Sequence, residues 1–307
     1  MSRIALIIFG TAAITAVFAC GNSSGDAKKT PDASSVTEFT WSYRDGPWGE
    51  NPVVVTVPLG ASDAHRMPVL FALHGQGESR KSPPEGARGW PDDYDMLKAF
   101  NRLAHPPLTV EDFGGMVTDK RLAVLNASLE NRPYRGLIVA CPYLPDRFRK
   151  DTLYNDAAVY GRFLVNRVLP RIRKETPAMN APTATAIDGV SLGGRASVVI
   201  GFDHPSTFGA VGGIQAAFGT AQIPELIQLL NKARKTRPNV KIRLLSSEGD
   251  RFKAVTIALS EAFKKENAPH QIDIVKGDHS YAFNRGPGVY EMLIYYDRIL
   301  RNEPFLP

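Results

Sequence analysis

The chain has 307 residues, 43% of them hydrophobic and 22% charged, with a formal net charge of +6. That balance excludes a disordered or collagen-like chain and is enough to bury a large core. The basic residues are scattered, as in Arg171-Ile172-Arg173-Lys174 and Lys264-Lys265. A nucleic-acid partner would need a concentrated basic stripe with a supporting motif, and there is none. The two cysteines, Cys20 and Cys141, make no disulfide framework, and no Cys/His cluster has the spacing of a metal site.

The N-terminus reads as a targeting segment. Arg3 supplies the positive charge and Ile4 to Phe18 is almost wholly apolar, too short for a comfortable membrane span. Val17-Phe18-Ala19-Cys20 is similar to a bacterial lipobox, with Phe18 standing where a smaller residue is commoner. Residues 1–19 are therefore predicted to be a lipoprotein-type signal peptide, with Cys20 the lipidation site and the membrane a partner through that lipid. Cleavage after Ala19 to a free secreted protein is the competing reading, and an uncleaved anchor is a third. Residues 20–37, rich in Gly, Ser, Asp, Lys and Pro, cannot bury apolar surface and should form a tether. Residues 38–307 are predicted to form one catalytic domain.

Within that domain, Glu38–Tyr43 and Pro52–Pro58 are predicted strands, paired antiparallel across a turn at 44–51. Pro68–Leu73 is a continuous apolar strand, as in a sheet covered on both faces. It runs into His74-Gly75-Gln76-Gly77-Glu78, a loop in which Gln76 or Gly75 can present a backbone N–H to a substrate. His74 is expected to shape that loop.

Residues 79–135 form a long insertion, broken by Pro and Gly, with helices expected over 92–103 and 117–129. Trp90, Tyr94 and Phe113 are candidates to wall a pocket, although core packing is the ordinary fate of such side chains. Gly136–Pro142 is another strand, and Cys141 within it reads as a small core residue. A helix over 156–174 follows, which Pro170 should kink or end.

The strand 183–187 then leads into Gly189-Val190-Ser191-Leu192-Gly193-Gly194, the Gly-x-Ser-x-Gly pattern. Serine on a sharp strand-to-helix turn needs glycines beside it to avoid collision, and Leu192 N–H falls at a helix start where an oxyanion would form. Further strands at 208–214, 240–245 and 271–275 alternate with helices at 224–235, 253–267 and 289–301. Such alternation predicts an α/β fold with a mainly parallel sheet and antiparallel N-terminal strands. Reactive residues belong at the carboxyl ends of its strands.

Serine needs a base and the base needs an acid, in the chain order Ser, acid, His. His279 follows the last strand, whereas His270 precedes it at the wrong end. Asp250 follows a strand and precedes a helix, with Glu248 the alternative acid. The predicted triad is Ser191, Asp250 and His279, with an oxyanion hole from the N–H groups of Leu192 and Gln76. No metal or organic cofactor is needed for this chemistry.

These segments, together with His204-Pro205-Ser206-Thr207-Phe208-Gly209-Ala210, Glu248-Gly249-Asp250 and Gly277-Asp278-His279, resemble the α/β-hydrolase esterases. That family includes esterase D-like, feruloyl esterase-like and enterochelin esterase-like enzymes. The resemblance implies an α/β-hydrolase fold and a serine carboxylesterase acting on a small-molecule or glycan-linked ester. Two features depart from it: Tyr281 and Phe283 stand where an aromatic, often Trp, is common, and Asp188 precedes Gly189. A non-catalytic envelope lipoprotein binding glycan or peptide in the same cleft, or a peptidase or acyltransferase on the same fold, are the alternative readings. The acyl and alcohol pockets are expected to come largely from residues 79–135 and the loop after Phe218.

Overall fold

The computed structural model describes residues 35–148 and 151–305. The predicted signal peptide, Cys20 and all but the end of the predicted tether lie outside the described residues. β1 (Val36–Gly46) begins two residues inside the stretch read as tether. β1 pairs antiparallel with β2 (Gly49–Pro58), and the expected turn over 44–51 contracts to Pro47 and Trp48. The remaining residues of that stretch extend the two strands.

Eight strands form one sheet in the order β1-β2-β4-β3-β5-β6-β7-β8. The others are β3 (Val69–Leu73), β4 (Ile138–Pro142), β5 (Thr185–Gly189), β6 (Ala210–Ile214), β7 (Lys241–Gly249) and β8 (Gln271–Asp278). β4 pairs antiparallel with β2, and every pairing from β4 through β8 is parallel. β3 shows why its sequence is apolar throughout. Val69, Phe71 and Leu73 enter one core, and Leu70 and Ala72 enter another on the opposite face.

The first core packs the sheet against the helices Leu153–Phe163, Leu192–Asp203, Ile223–Thr236 and Lys253–Lys265. The second packs it against Met96–Ala104, Asp119–Asn131 and Val289–Ile299. Much of the insertion is thus a structural layer. Trp90, Tyr94 and Phe113 are all buried in it. The helix expected over 92–103 is broken at Asp95, whose φ of 55° separates a π-turn (Gly89–Asp93) from the helix Met96–Ala104. Pro170 does not end its helix. A wider π-turn, Leu164–Val168, precedes it, and the helix resumes over Leu169–Glu175.

β7 and β8 run past the predicted 240–245 and 271–275. Their parallel register carries Gly249 opposite Asp278. The residues that follow each strand, Asp250 and His279, therefore emerge side by side at the carboxyl edge of the sheet.

Candidate active site

Ser191 sits between β5 and the helix Leu192–Asp203 with φ 55° and ψ −111°. An L-residue adopts that conformation only where its surroundings enforce it. Here Ser191 N–H donates to Ile214 C=O at 2.9 Å, and Ser191 C=O accepts Ala217 N–H at 3.0 Å. The flanking glycines are required by space: a Cβ on Gly193 would lie 2.3 Å from Leu73 O and 2.4 Å from His74 O. Backbone cannot yield at that distance.

Beneath this turn lies Asp188. Its Oδ1 accepts Gly189 N–H at 2.6 Å, and its Oδ2 accepts Arg243 Nη1 at 3.0 Å and the Tyr296 hydroxyl at 2.9 Å. Asp188 and Arg243 are both buried. Burial pushes the Asp188 carboxyl above its ordinary range, and the Arg243 guanidinium pulls against that shift. The aspartate that departs from the resemblance thus anchors the strand end bearing the serine.

His279 bridges the other two predicted triad members. Its Nε2 lies 3.1 Å from Ser191 Oγ and its Nδ1 lies 2.9 Å from Asp250 Oδ1. A carboxylate can only accept, so Nδ1 carries the proton and Nε2 faces the serine hydroxyl as an acceptor. Burial alone would push the Asp250 carboxyl up. Hydrogen bonds from His279, the Phe252 N–H and the Ser246 hydroxyl outweigh it and hold the group below its usual range. Phe252 packs edge-on against the imidazole at 5.3 Å.

The rival assignments separate cleanly. Glu248 is exposed, and its side chain lines a different cleft with Arg121 and Asp273. His270 bonds Ser260 Oγ at 2.7 Å and Ala268 C=O at 2.9 Å, below the other end of β8. Asp278 turns its carbonyl to Gln215 Nε2 at 2.8 Å, fixing the loop that carries His279.

Both predicted oxyanion donors begin helices, Leu192–Asp203 and Gln76–Ser79, so neither N–H has an intrahelical acceptor. Gly75, the other candidate, is committed: its N–H donates to the Tyr94 hydroxyl at 3.0 Å. Gly75 C=O accepts from His74 Nδ1 at 3.0 Å and from Ser79 Oγ at 3.2 Å. Gly75 C=O and Gln76 N–H belong to one trans peptide and point in opposite directions. Pinning the carbonyl inward therefore aims the Gln76 N–H outward, toward the cleft. His74 completes the support, since its Nε2 accepts Leu144 N–H at 2.8 Å across the loop. Burial holds the His74 imidazole neutral, below its ordinary 6.5.

These groups meet at a cleft of about 200 Å³ lined by Gln76, Glu78, Ser191, Gln215, His279 and Tyr281, among others. Tyr94 is the one residue of the 79–135 insertion on that lining, and the loop directly after Phe218 contributes none. The expectation that these two regions build the pocket is thereby corrected. The insertion supports the loop from behind, and the cleft is walled by the His74–Glu78 and Asp278–Asn284 segments. Glu78, Gln215 and Arg251 escaped the sequence reading. Glu78 carried one signal, its place directly after Gly-Gln-Gly.

A model of the putative esterase family matches residues 143–284, which bears out the resemblance carried by the sequence motifs. No curated protein matches the chain. Among solved structures, a ferulic acid esterase aligns with TM-score 0.64 and 14% identity, covering 87% of this chain and 100% of its own. An S-formylglutathione hydrolase from Staphylococcus aureus aligns with TM-score 0.57 and 14% identity over 87% of this chain and 99% of its own. A ferulic acid esterase from the anaerobic fungus Anaeromyces mucronatus gives 0.56 and 16%, over 89% and 92% respectively. These likenesses fix the α/β-hydrolase fold.

Proposed function

We propose that this chain, a serine hydrolase of carboxylic esters, works through an acyl-enzyme formed on Ser191. The observation that carries the reading is the imidazole of His279, placed within hydrogen-bond reach of both Ser191 Oγ and Asp250 Oδ1 at the edge of the cleft. Ser191 Oγ attacks the ester carbonyl carbon as its proton passes to His279 Nε2. The carbonyl oxygen becomes an oxyanion, held by Leu192 N–H and Gln76 N–H. Asp250 stabilises the imidazolium without taking its proton. Collapse breaks the ester C–O bond, and His279 protonates the departing alcohol. Water then attacks the acyl carbon, giving its proton to His279, and the acid leaves as Ser191 recovers the proton.

The substrate we propose is a small-molecule or glycan-linked ester. The cleft volume supports it, as does the solved complex of the Anaeromyces mucronatus esterase with ferulic acid. We further propose export and anchoring by lipid on Cys20, a reading supported by the apolar run and lipobox-like Val17–Cys20. Intact mass of protein recovered from membranes tests the anchor: a lipid adduct on Cys20 is expected, and an unmodified chain beginning at that residue contradicts it.

Hydrolysis of p-nitrophenyl acetate by the wild type and by Ser191→Ala tests the chemistry. Loss of about 10⁶-fold in kcat is expected, as when a triad nucleophile is removed elsewhere. Turnover that survives the substitution would contradict the assignment.

A further inference from the structure

Glu78 is 1% exposed, yet no ion pair to it occurs among the described residues. Its two oxygens are used separately. Oε2 accepts the hydroxyl of Tyr94, and Oε1 accepts the hydroxyl of Tyr281 at 2.5 Å. Tyr94 lies on the insertion, and its hydroxyl oxygen also accepts Gly75 N–H at 3.0 Å. Tyr281 lies two residues past His279. The two phenol rings lean together, with centroids 5.7 Å apart.

Glycines leave the room that Glu78 and its Tyr281 partner occupy. A Cβ on Gly89 would lie 2.7 Å from Glu78 Cγ, and a Cβ on Gly77 would lie 2.4 Å from the Tyr281 hydroxyl oxygen. The insertion therefore clamps Glu78 from behind while Tyr281 holds it from the cleft side. Burial and the Glu78 charge both raise the two phenols above their ordinary range, so each stays a donor at neutral pH.

We infer that Glu78 is a positioning residue, tying the loop of the base to the loop of the oxyanion donor through Tyr281–Glu78–Tyr94–Gly75. The inference rests on the esterase reading above and deepens it. Tyr94 fixes the Gly75 N–H, and the carbonyl of the same residue is fixed by His74 and Ser79, so the following Gln76 N–H has one direction. Tyr281 fixes the exit of the His279 loop against the same carboxylate. A carboxylate is required because both partners donate. An amide offers one acceptor oxygen, so only one of the two phenols could still donate to it.

The test uses Glu78→Gln, Tyr94→Phe, Tyr281→Phe and the double variant Glu78→Gln/Tyr94→Phe. Each is assayed for kcat and KM on p-nitrophenyl acetate and for backbone hydrogen exchange in residues 74–79. The single loss of an aimed oxyanion donor costs 10²–10³ in kcat, so a fall of at least about tenfold is expected for Glu78→Gln. KM should stay within about twofold. The double variant should lose less than the product of the two single losses, because the residues act as one unit. Tyr281→Phe removes one partly exposed hydroxyl and should fold normally. In that variant, faster exchange across 74–79 reads the coupling with no substrate present. Unchanged exchange there, together with multiplicative losses or an unchanged kcat, would overturn the inference. Were the wild type itself inactive, the esterase reading would fall, and the exchange arm alone would still decide the coupling.

Discussion

The turn proposed to carry the nucleophile, Asp188–Gly193, and the loop proposed to carry the second oxyanion donor, His74–Glu78, are held by different means. Each turns a backbone N–H at the start of a helix toward the cleft. The nucleophile turn is held by backbone contacts: Val190 and Ser191 N–H groups bond Leu73 and Ile214 carbonyls, and glycines fill the space where no side chain fits. Its ionic support, Asp188 with Arg243 and Tyr296, is fully buried where the helix Val289–Ile299 packs on the sheet. The oxyanion loop is held by side chains instead. His74 reaches Leu144, Tyr94 reaches Gly75, and Glu78 reaches Tyr281. A turn built into the backbone resists substitution through stability. A turn built from side-chain hydrogen bonds exposes its function to substitution.

That difference can be broken open from the nucleophile side first. Asp188→Ala leaves the Arg243 guanidinium buried and unpaired, which costs about 3–5 kcal/mol. Urea unfolding should show that loss, while kcat of the remaining folded enzyme falls less than in Glu78→Gln. The reverse ranking, with stability intact and catalysis collapsed, would erase the distinction between the two loops.

A smaller effect sharpens the comparison from the oxyanion side. His74 is neutral when folded because burial disfavours the imidazolium and Leu144 N–H donates to Nε2, while the hydrogen bond from Nδ1–H to Gly75 C=O pulls the other way. Its folded value is lowered from the ordinary 6.5. The unfolded chain therefore binds a proton near pH 6.5 that the folded chain refuses until lower pH. Stability is fully present above that point and declines as pH falls toward the folded value, by up to about 1.4 kcal/mol per pH unit. Part of the slope belongs to His204, which burial shifts in the same direction. Urea midpoints between about pH 7.5 and 5 measure the limb. His74→Asn should flatten it, and an unchanged slope would show that His74 is not the group responsible.

The same contrast explains what the sequence disclosed. The nucleophile turn is local, so Gly-x-Ser-x-Gly exposed it within a few residues, and the chain order of acid and base pointed to Asp250 and His279. Strand alternation disclosed the parallel sheet for the same reason, since each strand announces its own burial. The insertion over 79–135 stayed illegible because its purpose lies in distant partners. Tyr94 is explained by Gly75 and Glu78, and Glu78 is explained by Tyr281, 203 positions away. No period or spacing links such residues. Asp188 is explained by Arg243 and Tyr296, 55 and 108 positions on. Of the two effects expected of Pro170, a kink or an end, the helix shows an irregular π-turn over Leu164–Val168 and then continues over Leu169–Glu175.

All of this stands on Ser191 as the reacting atom's home. Treating the purified protein with a fluorophosphonate and mapping the adduct by peptide mass tests it most directly. One phosphonyl group on Ser191, absent when His279 is replaced by alanine, is the predicted result. A folded protein that takes no label, or takes it on another residue, would contradict the account.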